Sequence, residues 1–182
     1  MKSKNLILIG PRGVGKSKIA KRIGKLTNLP VISTDSVAAY ELGGRSIANY
    51  VTEDCGGNWE SFRNLEYQIL DRLKNAQGII LDCGGGILFD IDSSGQEILS
   101  DRKASLLKEI GIIVFLDAEV DSLVEKVMDD PTRPSLSSEK SYRDILKRRL
   151  PIYKQISDIR IYMEDMKKSE AARRILDLSQ FG

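Results

Sequence analysis

Short runs of consecutive apolar residues alternate with longer amphipathic stretches along the whole chain. Leu6-Ile7-Leu8-Ile9, Val31-Ile32, Ile79-Ile80-Leu81, Ile112-Ile113-Val114-Phe115-Leu116 and Ile159-Arg160-Ile161-Tyr162 predict five strands. Between them, Ile19, Ala20, Ile23 and Leu26 recur at helical spacing, as do Phe62, Leu65, Ile69 and Leu73 in a stretch from Trp59 to Leu73. Further helices are expected from Val120 to Met128, from Ser141 to Ile156 with an interruption near Pro151, and from Ser169 to Leu178. Strands without polar alternation are buried on both faces, so the pattern predicts an α/β fold with a parallel sheet between two helical layers. Two polar segments, Asp90 to Gln96 and the Pro- and Ser-rich Asp129 to Lys140, read as surface loops.

Composition narrows the chemistry. The 182 residues contain 28 Lys and Arg, 26 Asp and Glu, and no His, a net charge of +2. The missing histidine excludes Ser-His-Asp and Cys-His triads, His-ligated zinc and any imidazole base. The near-neutral balance argues against a nucleic-acid partner, which needs a cationic surface. Cys55 and Cys83 are too few for a disulfide scaffold and suit a reducing cytoplasm. Leu6 to Ile9 is too short for a signal sequence, and no apolar stretch reaches membrane-spanning length, so a cytoplasmic protein without a membrane partner is expected. No repeat or linker divides the chain, which predicts a single domain over 1–182.

Gly10-Pro11-Arg12-Gly13-Val14-Gly15-Lys16-Ser17 matches GxxxxGK[ST], with a strand signal before it and a helical pattern after it. Glycines in such a loop turn backbone N–H groups inward around phosphate oxygens, at the positive end of a helix. Lys16 is then expected to reach the β- and γ-phosphates of ATP and Ser17 to sit on Mg²⁺. The loop does not name the acceptor. Asp35, just past the second strand, is placed to orient or deprotonate a hydroxyl, although a helix N-cap is an alternative role. Arg63 lies inside a predicted helix, Gly84-Gly85-Gly86 closes the third strand, Arg133 falls in the polar segment, and Arg149 precedes Pro151 and Tyr153.

This ordered set, with Phe62-Arg63 followed by Glu66 and with Arg149-x-Pro151-x-Tyr153, resembles the shikimate kinase family over nearly the whole chain. The resemblance implies a phosphate-loop NTPase fold of the nucleoside-monophosphate-kinase type, a three-layer α/β/α arrangement with a five-stranded parallel sheet. It also implies a substrate-binding helical segment at about 35–63 and a lid at about 129–140. The implied reaction moves the γ-phosphoryl of ATP to the 3-hydroxyl of shikimate, with Mg²⁺ as cofactor, on the route to chorismate and the aromatic amino acids. Asp35 matches the carboxylate that holds the acceptor hydroxyls, and Arg63 and Arg149 match the arginines that clamp its carboxylate. Gly84, Gly85 and Gly86 complete that pocket, and Arg133 matches the lid arginine on the phosphates. A family-like monomer is expected.

The chain departs from that family at several places. Ser33-Thr34-Asp35 stands where Asp-x-Asp is usual, so the first, magnesium-side carboxylate is missing. Asp82, ending the third strand, offers a replacement, with Ser33 acting only through water. Lys126 stands where an arginine near the adenine is common, and Leu136 follows Ser135 in the lid motif. The stretch from Leu88 to Ser105 is longer and more acidic than the family pattern suggests. Gluconate or a nucleoside monophosphate as acceptor, and an ATP-binding protein without turnover, remain open at this point.

Overall fold

The computed structural model describes residues 5–128 and 141–181. Five strands among them form a parallel sheet: β1 at Asn5–Ile9, β2 at Val31–Ser33, β3 at Ile80–Asp82, β6 at Gly111–Asp117 and β7 at Ile159–Tyr162. Their order is β2-β3-β1-β6-β7, with β4 at Phe89–Ile91 and β5 at Glu97–Leu99 forming a separate antiparallel hairpin. The helices are α1 (Lys16–Thr27), α2 (Thr34–Glu41), α3 (Ile47–Asn49), α4 (Glu60–Leu73), α5 (Asp101–Ile110), α6 (Val120–Met128), α7 (Tyr142–Ile156) and α8 (Lys168–Ser179). A π-helical turn, Tyr50–Asp54, follows α3.

Side-chain alternation along the strands explains why they read as unbroken apolar runs. Leu6 and Leu8 of β1 point to one face, where Ile19 and Ile23 of α1 and Ala171 and Ile175 of α8 cover them. Ile7 and Ile9 point to the other face, into Leu70 of α4, Leu107 of α5 and Tyr153 of α7. All four apolar β1 residues are fully buried, and each such side chain contributes about 1.5–3 kcal/mol of transfer free energy. Asn5 opens β1 and is itself buried, but its side chain is satisfied by Ala76 O, Ile110 O and Ile79 N, which ties β1 to both flanking connections.

Two expectations need correction. Asp90 to Gln96 is not a plain loop, because Asp90 and Ile91 lie in β4 and the rest turns the chain into β5. Asp92 Oδ1 accepts from the N–H groups of Ser94 and Gln96 at 2.9 Å each, closing a tight turn whose polar residues mask the short strands on either side. The helix at Pro151 is not interrupted either. Pro151 sits at an exposed position of α7, as does Lys147, whose carbonyl it cannot bond. The expected acceptor segment at about 35–63 contains α2, α3, the π-turn and the start of α4, gathered on a small core of Ala38, Val51, Phe62 and Ile69. The expected lid, with Arg133, lies outside the described residues.

Candidate functional site

The carboxyl ends of the parallel strands open on a cleft of about 940 Å³. The phosphate loop forms one wall, between β1 and α1, with Gly13 and Gly15 at φ +85° and +102°, a region that side-chain-bearing residues rarely adopt. No side chain caps the N-terminus of α1, and its first turn holds no acid. Its leading N–H groups and positive dipole end therefore favour an anion. Lys16, mostly buried, donates from Nζ to Gly10 O at 2.8 Å and Pro11 O at 3.0 Å, and Tyr142 of α7 holds the loop through Arg12 O at 2.7 Å. Ser17 lines the same cleft.

Across the cleft the triple glycine gathers the residues expected at the acceptor. A Cβ on Gly84 would collide with Asp35 Oδ1, and one on Gly86 would collide with the Arg63 guanidinium. Glycine leaves room there for two side chains, from α2 and α4, that lie against the backbone. Gly84 N donates to Thr34 Oγ1 at 2.8 Å, fixing the turn to the first residue of α2. Arg149 Nη1 donates to Gly85 O at 3.1 Å, and the Tyr153 hydroxyl, one turn further along α7, donates to the same carbonyl. Thus Asp35, Arg63 and Arg149, far apart in sequence, meet around three consecutive glycines.

Asp35 is not the N-cap of α2. Ser33 takes that role, its Oγ accepting from Ser36 N at 3.3 Å, and leaves Asp35 in the first turn, open to the cleft. Desolvation in the cleft, together with the charges of Glu66 and Asp82, raises the Asp35 carboxyl above its ordinary value, against the opposing pull of Lys16 and Arg63. A carboxylate made more basic in this way is suited to take a proton from a hydroxyl. Arg63 and Arg149 are both buried. Arg63 pairs with Glu66 at 2.9 Å and lies over the Trp59 ring, 5.1 Å from its centroid, while Arg149 lies over Phe89 at 4.9 Å.

Ser33 and Asp82 are register partners at the ends of β2 and β3, and Asp82 is buried beside the phosphate loop. Together with Ser17 they offer a hard oxygen donor set, which fits Mg²⁺ held by few protein ligands and substrate phosphates. Among the described residues no group of three acidic or Cys side chains forms a self-sufficient metal cage. Lys126 lines the cleft near Gly13.

Sequence reasoning missed several residues here. Met163, Met166 and Lys168, which follow β7, line the same cleft, Lys168 beside Gly15, where no motif marks them. Lys103 is fully buried and bonds Phe89 O, at 2.5 Å, and Glu66, at 3.1 Å. Glu97 pairs with Arg149. The only signal for the last two was the unusual length of the Leu88 to Ser105 stretch.

A family model described as shikimate kinase matches residues 12–180. A shikimate kinase of Leptospira borgpetersenii serovar Hardjo-bovis is 53% identical over 173 residues, covering 95% of this chain and 96% of that protein. One from Actinobacillus pleuropneumoniae serotype 5b is 29% identical over 178 residues, with 96% and 95% covered. Among solved structures, a shikimate kinase from Acinetobacter baumannii in complex with shikimate has the same fold, at a TM-score of 0.80 and 24% identity over 97% of this chain and 92% of that one. Among the described residues no helix is long and apolar enough to cross a membrane.

Proposed function

The chain belongs to the shikimate kinase family, and on that premise we propose that it transfers the γ-phosphoryl of ATP to the 3-hydroxyl of shikimate in this cleft. The observation that carries the reading is the meeting of Asp35, Arg63 and Arg149 around Gly84-Gly85-Gly86, opposite the phosphate loop. Two guanidiniums beside a glycine pocket suit a carboxylate, because a planar fork pairs two oxygens where Lys offers a point charge. Asp35 orients the acceptor hydroxyl and takes its proton as the new bond to phosphorus forms. Lys16 leaves the Gly10 and Pro11 carbonyls for the phosphates and stabilises the charge that accumulates there, and Arg133 adds a second cation from the lid. Phosphoryl transfer depends chiefly on such positioning and charge neutralisation.

Ser17, Asp82 and, through water, Ser33 are the residues that would hold Mg²⁺, which would neutralise phosphate charge there. The register pairing of Ser33 with Asp82 supports a magnesium-side carboxylate carried by β3 rather than β2. Asp82→Ala is expected to raise the Mg²⁺ concentration needed for half-maximal rate and to cut kcat far more than Ser33→Ala does. Titrating Mg²⁺ in both variants checks this, and equal, small effects overturn it.

One chain supplies the loop, the base and both arginines, which supports activity as a monomer, and the free thiols of Cys55 and Cys83 suit a reducing cytoplasm. The decisive experiment is coupled ADP release with purified protein, ATP and Mg²⁺, comparing shikimate, gluconate and nucleoside monophosphates. Saturation with shikimate alone is expected. Turnover only with another acceptor, or ADP release that no acceptor stimulates, overturns the proposal.

A further inference from the structure

The β4–β5 hairpin, for which the family pattern offers no role, ends at the acceptor arginines. Glu97, the first residue of β5, takes Arg149 in a two-point grip: Nε to Oε2 at 2.8 Å and Nη2 to Oε1 at 2.5 Å. The same Oε1 lies 3.7 Å from Arg63 Nη2. Its side chain is only 12% exposed. Burial disfavours the Glu97 carboxylate, but the Arg149 hydrogen bonds and the charges of Arg149, Arg63 and Arg148 outweigh it and hold the group below its ordinary value. From the same hairpin, Phe89 places its ring under the Arg149 guanidinium.

We infer that Glu97 is a positioning residue for acceptor binding, which clamps Arg149 and draws Arg63 beside it so that the pair is set to receive a carboxylate. The inference rests on the acceptor role proposed above for these arginines. Two buried guanidiniums repel each other, and each long side chain has many rotamers to lose. An internal carboxylate between them offsets the repulsion and holds the geometry before substrate arrives.

Side and edge distinguish clamping from competition. Arg63, Arg149 and the three glycines line the cleft, whereas among the described residues Glu97 is not part of its lining. Glu97 holds Arg149 by its Nε edge, and Gly85 O holds Nη1. Each terminal nitrogen carries two N–H groups, so the Nη1/Nη2 end keeps donors for an incoming anion. Arg63 is tied separately by Glu66, and Glu66 in turn by Lys103. The hairpin is itself fastened, since Asp90 accepts from Ser100 Oγ at 2.7 Å and Arg102 Nε at 2.9 Å. The acidic insertion thus reads as a brace for the carboxylate pocket.

The test is Glu97→Gln in the full chain, with Glu97→Asp as a second variant that keeps the charge but shortens the reach. Ile98→Ser, at an exposed position on the same strand, is the control. KM is measured for shikimate and for ATP, with kcat, melting temperature and shikimate binding followed by the fluorescence of Trp59, the single tryptophan, which stacks on Arg63. A misplaced clamp costs about 10- to 100-fold. Glu97→Gln is therefore expected to raise the KM and dissociation constant for shikimate by about that factor, with ATP KM and kcat changed less than about threefold. Glu97→Asp is expected to fall between, and Ile98→Ser to match the parent. An unchanged KM for shikimate overturns the inference. A lowered one also overturns it, identifying Glu97 as a competitor for the arginines, and a parallel rise in both KM values with a lower melting temperature reduces Glu97 to a stability role. Failure of the acceptor reading itself is seen first, as a parent protein that does not turn over shikimate.

Discussion

Asp35→Asn is expected to lower kcat by about 10²–10⁴-fold, the usual worth of a positioned general base, while shikimate still binds. Asparagine keeps the shape and an acceptor oxygen for the acceptor hydroxyls but cannot take a proton. The same substitution is expected to raise the melting temperature slightly at neutral pH. The sign follows from the environment: the Asp35 carboxyl is raised above its ordinary 3.8, first by desolvation and then by Glu66 and Asp82. A raised carboxyl favours the folded state at pH below the unfolded value, and this advantage is lost as pH rises through the folded value. At neutral pH the charged Asp35 is therefore a cost that Asn removes. Activity has the opposite dependence, because the base works only when ionised. The parent kcat/KM should fall on the acid side at a pH above 3.8, and that limb should vanish in Asp35→Asn. Stopped-time assays across pH with parallel thermal melts measure both. An unchanged kcat removes Asp35 from proton transfer, and a lowered melting temperature contradicts the electrostatic account.

Lys16→Met is expected to reduce kcat on the order of 10³-fold, as for other losses of a buried charge-stabilising donor, and to weaken ATP binding. Methionine preserves the apolar stem, so packing of α1 beneath the loop persists through Ile19 and Ile23. What disappears is an ammonium that Gly10 O and Pro11 O now hold close to the phosphate site. Both hydrogen bonds are buried, so removing their donor is also expected to lower the melting temperature. Measuring kcat at saturating ATP beside the ATP dissociation constant separates charge stabilisation from binding. A variant within about tenfold of the parent kcat would mean that the loop backbone and Arg133 carry the charge without Lys16.

The local patterns carried far. Leu6 to Ile9 and Ile112 to Leu116 were legible as strands because both sheet faces are covered, so nothing polar breaks the runs. The phosphate loop was legible because its chemistry is local: consecutive N–H groups, positive-φ glycines and a helix start all lie within a few residues. Arg63 and Arg149 were named from motifs, and the structure brings them to the same glycine turn. Their burial was not legible, since an arginine on a helix ordinarily faces water. It depends on partners from α4, the hairpin and the glycine turn after β3 that only packing assembles.

The sequence by itself determined the five strands of the parallel sheet, the helices α1, α4, α6, α7 and α8 and the phosphate loop, because each is set by contacts within one or two turns of chain. Tertiary structure alone decided that Asp35 lies against Gly84 in the cleft, that Ser33 and Asp82 end adjacent strands, and that a polar stretch becomes a hairpin. Glu97 on Arg149 belongs to the same class. Its worth arises where buried charges from distant segments must neutralise one another, and no spacing along a chain encodes that meeting.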